Sequence, residues 1–337
     1  MKTNRPGEAK KKNPKKRGQL AVNRDKPDRW NADITQSVDL FNEWFMVFAP
    51  KAFRETRIAT TGSVEAALGW TDNLTRITPS LLREHPGVLQ MLRMATCPPI
   101  ARDRLIGLSG AWKSLISHME RKNTVPPKMN VATFDKEAQK IIATLQKLID
   151  PDIFVWLGRK EKAEAAEVHR AATIVADRLC GAVADPIVRN AQEARQLSLI
   201  GKWLGKRGYT YAAKGVKFRT LEPGTYAFRL NVPVKLENVE RQVNIPIDVA
   251  VMPKMGKPGE LPLLVEAKSA GDFTNVNKRR KEEATKMAQL RRNYGRDVRF
   301  VLFLCGYFDS GYLGYEAAEG IDWVWEHRMD DLGEFGL

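Results

Sequence analysis

Ile245-Pro246-Ile247-Asp248-Val249-Ala250-Val251, followed after a Gly/Pro loop by Leu263-Leu264-Val265-Glu266-Ala267-Lys268, is the stretch on which the reading of this chain turns. Two short apolar runs bounded by turn residues predict two buried strands. Side chains alternate faces along a strand, so Glu266 and Lys268 point one way and Ala267 the other. If the strands pair, Asp248 joins them, and two carboxylates and one ammonium meet at the edge of an apolar sheet.

Charge of this kind is foreign to a core strand and suits metal-assisted phosphodiester hydrolysis. Two hard oxygen ligands hold Mg²⁺, which keeps waters and accepts a phosphate oxygen. The metal lowers the pKa of a bound water, and a lysine beside it orients that water or offsets charge in the transition state. The competing reading is a hairpin with a salt-bridged exposed face. Three acid-x-Lys triplets occur, Glu8/Lys10, Glu120/Lys122 and Glu266/Lys268, and only the last follows an aliphatic run with an acid in a comparable strand upstream.

The chain has 337 residues, 43% of them hydrophobic, which predicts a sizeable core and two domains, or one with large additions. No run of about 18 apolar residues suggests a membrane span. The basic N-terminus lacks the apolar segment of a secretory signal, so a cytoplasmic location is expected. Cys97, Cys180 and Cys305 are far apart and odd in number, which predicts reduced core thiols. His85, His118, His169 and His327 have no zinc-ligand spacing. The net charge of +15 points to a polyanion, because lysine and arginine displace counterions from phosphates. Residues 1–29 hold eleven bases and three acids, which leaves +7 on the rest of the chain.

Residues 1–29 are expected to form a disordered basic tail, either a non-specific DNA arm or a solubilising segment. Residues 30–184 read as a mainly helical region for DNA recognition or dimerisation. There Val38, Phe41, Phe45 and Phe48 form a stripe, expected to be core, on a helix that Pro50 should stop. Arg102 and Arg104, beside Asp103, are candidate DNA contacts or partners of that acid. From residue 185 to 337 the pattern changes. Asp185 caps an expected helix with Pro186 at its first position. On it Glu193 shares a face with Leu197, Ile200 and Leu204, where an acid needs a base or a metal. Strands follow, then a basic helix over 277–294 with Lys278, Arg279, Arg280 and Lys281 as DNA-backbone contacts and Ala284, Met287 and Ala288 turned inward. A strand over 299–308 comes next, and a last one carries Ile321, Trp323 and Trp325 as core. The class is α/β (α+β), a mixed sheet flanked by helices behind a helical N-terminal region.

Asp248…Glu266-Ala267-Lys268, with Glu193 in the preceding helix, resembles the PD-(D/E)XK nuclease superfamily. Glu266 to Glu283 and Trp30 to Phe53, the latter with Phe41-Asn42-Glu43-Trp44-Phe45, are similar to its XamI-type type II restriction endonucleases, and the likeness extends over roughly residues 30–330. The resemblance implies Mg²⁺-dependent double-strand cleavage of a short palindromic DNA site, leaving 5′-phosphates. It implies a homodimer and a cognate DNA methyltransferase as genetic partner. Asp248 and Glu266 would be the metal ligands, Lys268 the water-positioning base, and Glu193 a support for the metal site. Ile247, not proline, precedes Asp248 here; the proline lies one residue earlier, at 246. A repair or junction-resolving nuclease of the same fold, and a basic DNA-binding protein with a vestigial site, are the rival readings.

Overall fold

The computed structural model describes residues 21–213, 215–236, 242–257, 259–274 and 276–337, with the side chains of 182–185 and 276–279 excepted. The contacts group the chain into two compact units: Met46–Arg189, and Asn190–Leu337 with the residues up to Phe45.

The first unit is helical. Its elements come from α1 (Pro27–Trp70), α2 (Pro79–Glu84), α3 (Val88–Met94), α4 (Arg102–Ser109), α5 (Lys113–Lys122), α6 (Val131–Gln146) and α7 (Ala165–Lys206). Leu68, Leu82, Leu89, Leu115, Phe134 and Phe154 lie at the centre of one apolar core. Helix starts follow local chemistry: Thr78 accepts the Leu81 N–H at 3.3 Å, and Asn130 accepts the Thr133 N–H at 2.8 Å. Pro50 and Pro186 do not end or begin helices, as the sequence suggested; both lie inside one. A proline removes a single ladder bond, costing about 3 kcal/mol. The apolar faces of helices of 44 and 42 residues outweigh that loss.

The second unit is built on a sheet whose described strands run in sequence order: β1 (Thr210–Tyr211), β2 (Thr225–Lys235), β3 (Gln242–Val251), β4 (Leu263–Ala270), β5 (Arg299–Gly306) and β6 (Asp322–Trp325). The β2–β3–β4 meander is antiparallel, and β1 on β2 and β4–β5–β6 are parallel. The parallel joins cross over through α8 (Val276–Tyr294) and α9 (Ser310–Ala318). Leu264, Leu302, Leu304, Trp323 and Trp325 face α8 and α9 and pack on Met287, Leu290 and Leu313. Val265, Val301, Phe303 and Val324 face the other way, onto Leu197, Ile200 and Leu204 of α7. Burial on both faces explains why these strands read as continuous apolar runs. Gly306, at φ +100°, ends β5; a Cβ there would lie 2.1 Å from the Ala270 oxygen.

Three expectations are corrected here. Residues 1–20 of the expected disordered tail lie outside the described residues, but residues 21–29 are ordered. Asp322 is buried within an apolar strand and needs donors. The backbone N–H groups of Val22, Asn23 and Arg24 supply them at 2.5, 3.0 and 3.1 Å, and Asn23 donates to the Trp323 oxygen at 2.8 Å. The aromatic stripe of α1 is core only at Phe41, which packs on Tyr307; Phe45 is 39% exposed. Cys97 is exposed, unlike Cys180 and Cys305. Asp322→Ala would leave three backbone donors without their acceptor, and is expected to lower unfolding stability in a urea melt by about 2–4 kcal/mol. A change under about 1 kcal/mol would show that the N-terminal segment does not depend on this carboxylate.

Candidate active site

The ladder between β3 and β4 ends at Val249↔Val265. Beyond it the strands part at Asp248 and Glu266, and the Asp248 carboxylate takes over as acceptor: its Oδ2 receives the Ala267 N–H at 2.8 Å. A side chain thus replaces the missing ladder bond and draws Asp248 to the strand that carries Glu266 and Lys268. On the other side of β3 the ladder with β2 runs through Phe228↔Val249 and Leu230↔Ile247 and skips Arg229 and Asp248 between them. Both strands exchange faces there. Ile245 and Ile247 face the α8 side, whereas Val249 and Val251 face the α7 side. In β2, Ala227 faces the α8 side and Phe228 the α7 side, and Leu230, Val232 and Val234 face the α8 side again. Arg229 makes the switch with φ +51°.

Glu266 and Lys268 lie on the α8 side, as the alternation requires, and α8 completes their surroundings. Lys268 Nζ stands 3.2 Å from Glu266 Oε1 and 3.3 Å from Glu283 Oε1. Glu283 Oε2 accepts from the Tyr312 hydroxyl of α9 at 3.2 Å. Lys286 Nζ lies 2.6 Å from Glu266 Oε1 and donates to the Pro246 oxygen at 3.3 Å. The inward stripe of α8 is therefore Glu283, Met287 and Leu290 with the half-buried Lys286; Ala288 is exposed. Burial works against the charge on Lys268, but Glu266 and Glu283 outweigh it and raise its pKa. Burial and the nearby Glu266 carboxylate push Asp248 up to about 6. Behind Glu283, Glu316 is fully buried with neither oxygen hydrogen-bonded. Burial first, then Glu283 and Glu319, push it up to about 8.

Glu193 pairs with Arg229 at 2.9 Å, not with Arg189. The pair is exposed, 35% on the glutamate and 70% on the arginine. Pairs of that kind contribute about 0–1 kcal/mol. A left-handed non-glycine residue costs about 1–3 kcal/mol, so the ion pair does not offset the backbone that presents it. Gln196, one turn on from Glu193, donates to the Lys268 and Phe303 oxygens at 3.3 and 3.4 Å and ties α7 to the ends of β4 and β5.

The basic candidates fall in different settings. The side chains of Lys278 and Arg279 lie outside those described. The Arg280 guanidinium stacks on the Tyr315 ring at 3.6 Å, and Lys281 is exposed. Arg102 in the helical unit lies 3.4 Å from Asp103, and Arg104 is exposed. Of the groups around the carboxylates, Glu283, Lys286, Tyr312, Gln196 and Arg229 were not singled out from the sequence as site residues. Only Lys286, within a run of like charge, carried any signal there.

The donors fit a hard divalent cation. Asp248 and Glu266 present carboxylate oxygens where β3 and β4 part. Glu266 Oε2 is buried without a hydrogen-bond partner. Burial first, then the neighbouring Glu266 carboxylate, raises Asp248. Among the described residues no three His, Cys, Asp or Glu side chains are arranged so that they could hold one metal ion together. A cation here would rest on two carboxylates and would need water or substrate oxygens to complete its shell, which Mg²⁺ accepts.

Known proteins bear on this geometry. The family described as XamI restriction endonuclease matches residues 72–325. The type II restriction enzyme SalI of Streptomyces albus G is 54% identical over 317 residues, which is 94% of this chain and 99% of that protein. The crystal structure of protein VC1899 from Vibrio cholerae aligns with 75% of this chain and 55% of its own at 12% identity, with a TM-score of 0.28 that is too low to carry an argument.

Glu316 sets a pH dependence. An unfolded glutamate loses its proton near 4.5, whereas the folded protein keeps this one up to about 8. The folded state binds the extra proton across that window, so this group makes stability fall as pH rises through it, by about 1.4 kcal/mol per pH unit. Glu316→Gln, which mimics the protonated form, is expected to gain about 2–3 kcal/mol over the unsubstituted protein between pH 5.5 and 7.5 in urea melts. Parallel stability curves for the two proteins would refute the assignment.

Proposed function

This chain belongs to the XamI restriction endonuclease family and is a type II restriction endonuclease acting on DNA, and we propose that Asp248, Glu266 and Lys268 are its catalytic centre. The observation that carries the reading is the convergence of Asp248 on β4 through the Ala267 N–H, beside an ammonium 3.2 Å from Glu266. Asp248 and Glu266 would hold a divalent cation, with Mg²⁺ the expected ion. Such a cation makes bound water a nucleophile at neutral pH and withdraws charge from the phosphate under attack.

The protein's own groups divide the remaining work. Lys268 keeps its proton, because Glu266 and Glu283 raise its pKa, so it orients the attacking oxygen and offsets charge on the phosphate. Glu283, held by Tyr312, fixes the position of that ammonium. Glu193 supports the site from α7 through Arg229. Lys281 of α8, with Lys278, Arg279 and Arg280, is assigned to the DNA backbone, as are Arg102 and Arg104 of the helical unit. The site read is a short palindrome, cut in both strands to leave 5′-phosphates by a homodimer whose two-fold axis matches that of the DNA. A DNA methyltransferase of matching specificity is its genetic partner, and the cytoplasm of a prokaryote its location. Among the described residues no helix is long and apolar enough to cross a membrane.

Digestion of a sequenced plasmid with Mg²⁺, followed by mapping of the ends, is expected to give discrete fragments with 5′-phosphates. Lys268→Ala and Asp248→Asn should each slow cutting by about 10²–10⁴-fold while binding to the same duplex persists. Full cutting by either variant would remove these residues from the centre.

A further inference from the structure

We propose that Arg229 binds a phosphate of the DNA backbone beside the reacting one. The proposal deepens the nuclease reading and rests on it. Arg229 and Asp248 are the residues that the β2–β3 ladder skips, between Phe228↔Val249 and Leu230↔Ile247, where both strands exchange faces. It holds φ +51°, a conformation that glycine adopts freely and arginine does not. Its side chain is 70% exposed and meets Glu193 at 2.9 Å. That exposed ion pair is too weak to explain why an arginine occupies a position glycine suits better. A strained residue next to a catalytic carboxylate marks a side chain used for something outside the fold.

The neighbouring surface indicates what that is. Arg229 lines an open cleft of about 610 Å³ together with Lys217, Arg219, Asn231 and Asn244, and no carboxylate is among the described residues lining it. A guanidinium in a cationic cleft one strand from the carboxylates is suited to a phosphate, which it grips with two parallel hydrogen bonds. Glu193 then serves as the stand-in acceptor that keeps the guanidinium aimed when DNA is absent.

The test measures DNA binding in buffer free of divalent cations at several salt concentrations. It uses a duplex carrying the mapped site and an unrelated duplex of equal length. For Arg229→Ala and Arg229→Gly, binding to both duplexes is expected to weaken roughly tenfold at low salt. The slope of log K against log salt should become shallower by about 0.9, the value for one lost phosphate contact. Arg229→Lys should keep the slope. Arg229→Gly, which suits the left-handed backbone, should not lower Tm. An unchanged slope in Arg229→Gly overturns the proposal, and so does a loss confined to the duplex with the site, which would mark a base contact. Failure of the unsubstituted enzyme to cut any DNA would instead defeat the nuclease reading, because these slopes need no cleavage.

Discussion

The hydrogen bond from the Ala267 N–H to the Asp248 carboxylate holds the centre of this molecule together. It forms where β3 and β4 stop pairing, so one carboxylate satisfies a buried donor while standing beside a second carboxylate. A regular ladder would have filled that donor with a carbonyl and left no acid at the junction. The strands must therefore part for the site to exist. Parting is tolerated because both faces of the sheet are already covered, by α8 and α9 on one side and α7 on the other.

Charge around this junction is balanced in layers. Glu266 meets Lys268 and Lys286, Lys268 also meets Glu283, and Glu283 is held by Tyr312. Each lysine is anchored by an acid in another element, so the ammonium groups are positioned before substrate arrives. The arrangement comes at some loss of stability: Asp248 and Glu316 both retain protons to higher pH than free carboxyls do. Sites that must receive positive charge are commonly strained in this way in its absence. Arg229 belongs to the same pattern, since its backbone is held where only the surrounding ladder could keep it.

The strands of the sheet unit and the common face of Glu266 and Lys268 were legible because a period of two leaves no freedom once a strand is assigned. Trp323 and Trp325 were legible as core for the same reason. Helix ends at Pro50 and Pro186 were misread, since a local breaker was weighed without the long apolar faces that override it. The inward stripe of α8 was misread because Glu283 and Lys286 point at the sheet, and charged residues in a basic helix look like a solvated face until their partners are known. Residues 21–29 looked like tail for want of apolar residues, yet they are held by backbone donors, which no composition reveals.

Sequence alone determined the class of fold, the two acids and lysine worth watching, and the likeness to restriction endonucleases, because alternation and motif spacing are local properties of the chain. Tertiary structure decided the rest: that Asp248 reaches β4 through a backbone donor, that Glu283, held by Tyr312, meets Lys268, and that Arg229 takes a left-handed backbone where the β2–β3 ladder skips it and Asp248. These are meetings between residues up to 29 positions apart, as Glu283 is from Tyr312, and no local pattern encodes them. They depend on where β3 and β4 part, and that point is set by packing on both faces of the sheet.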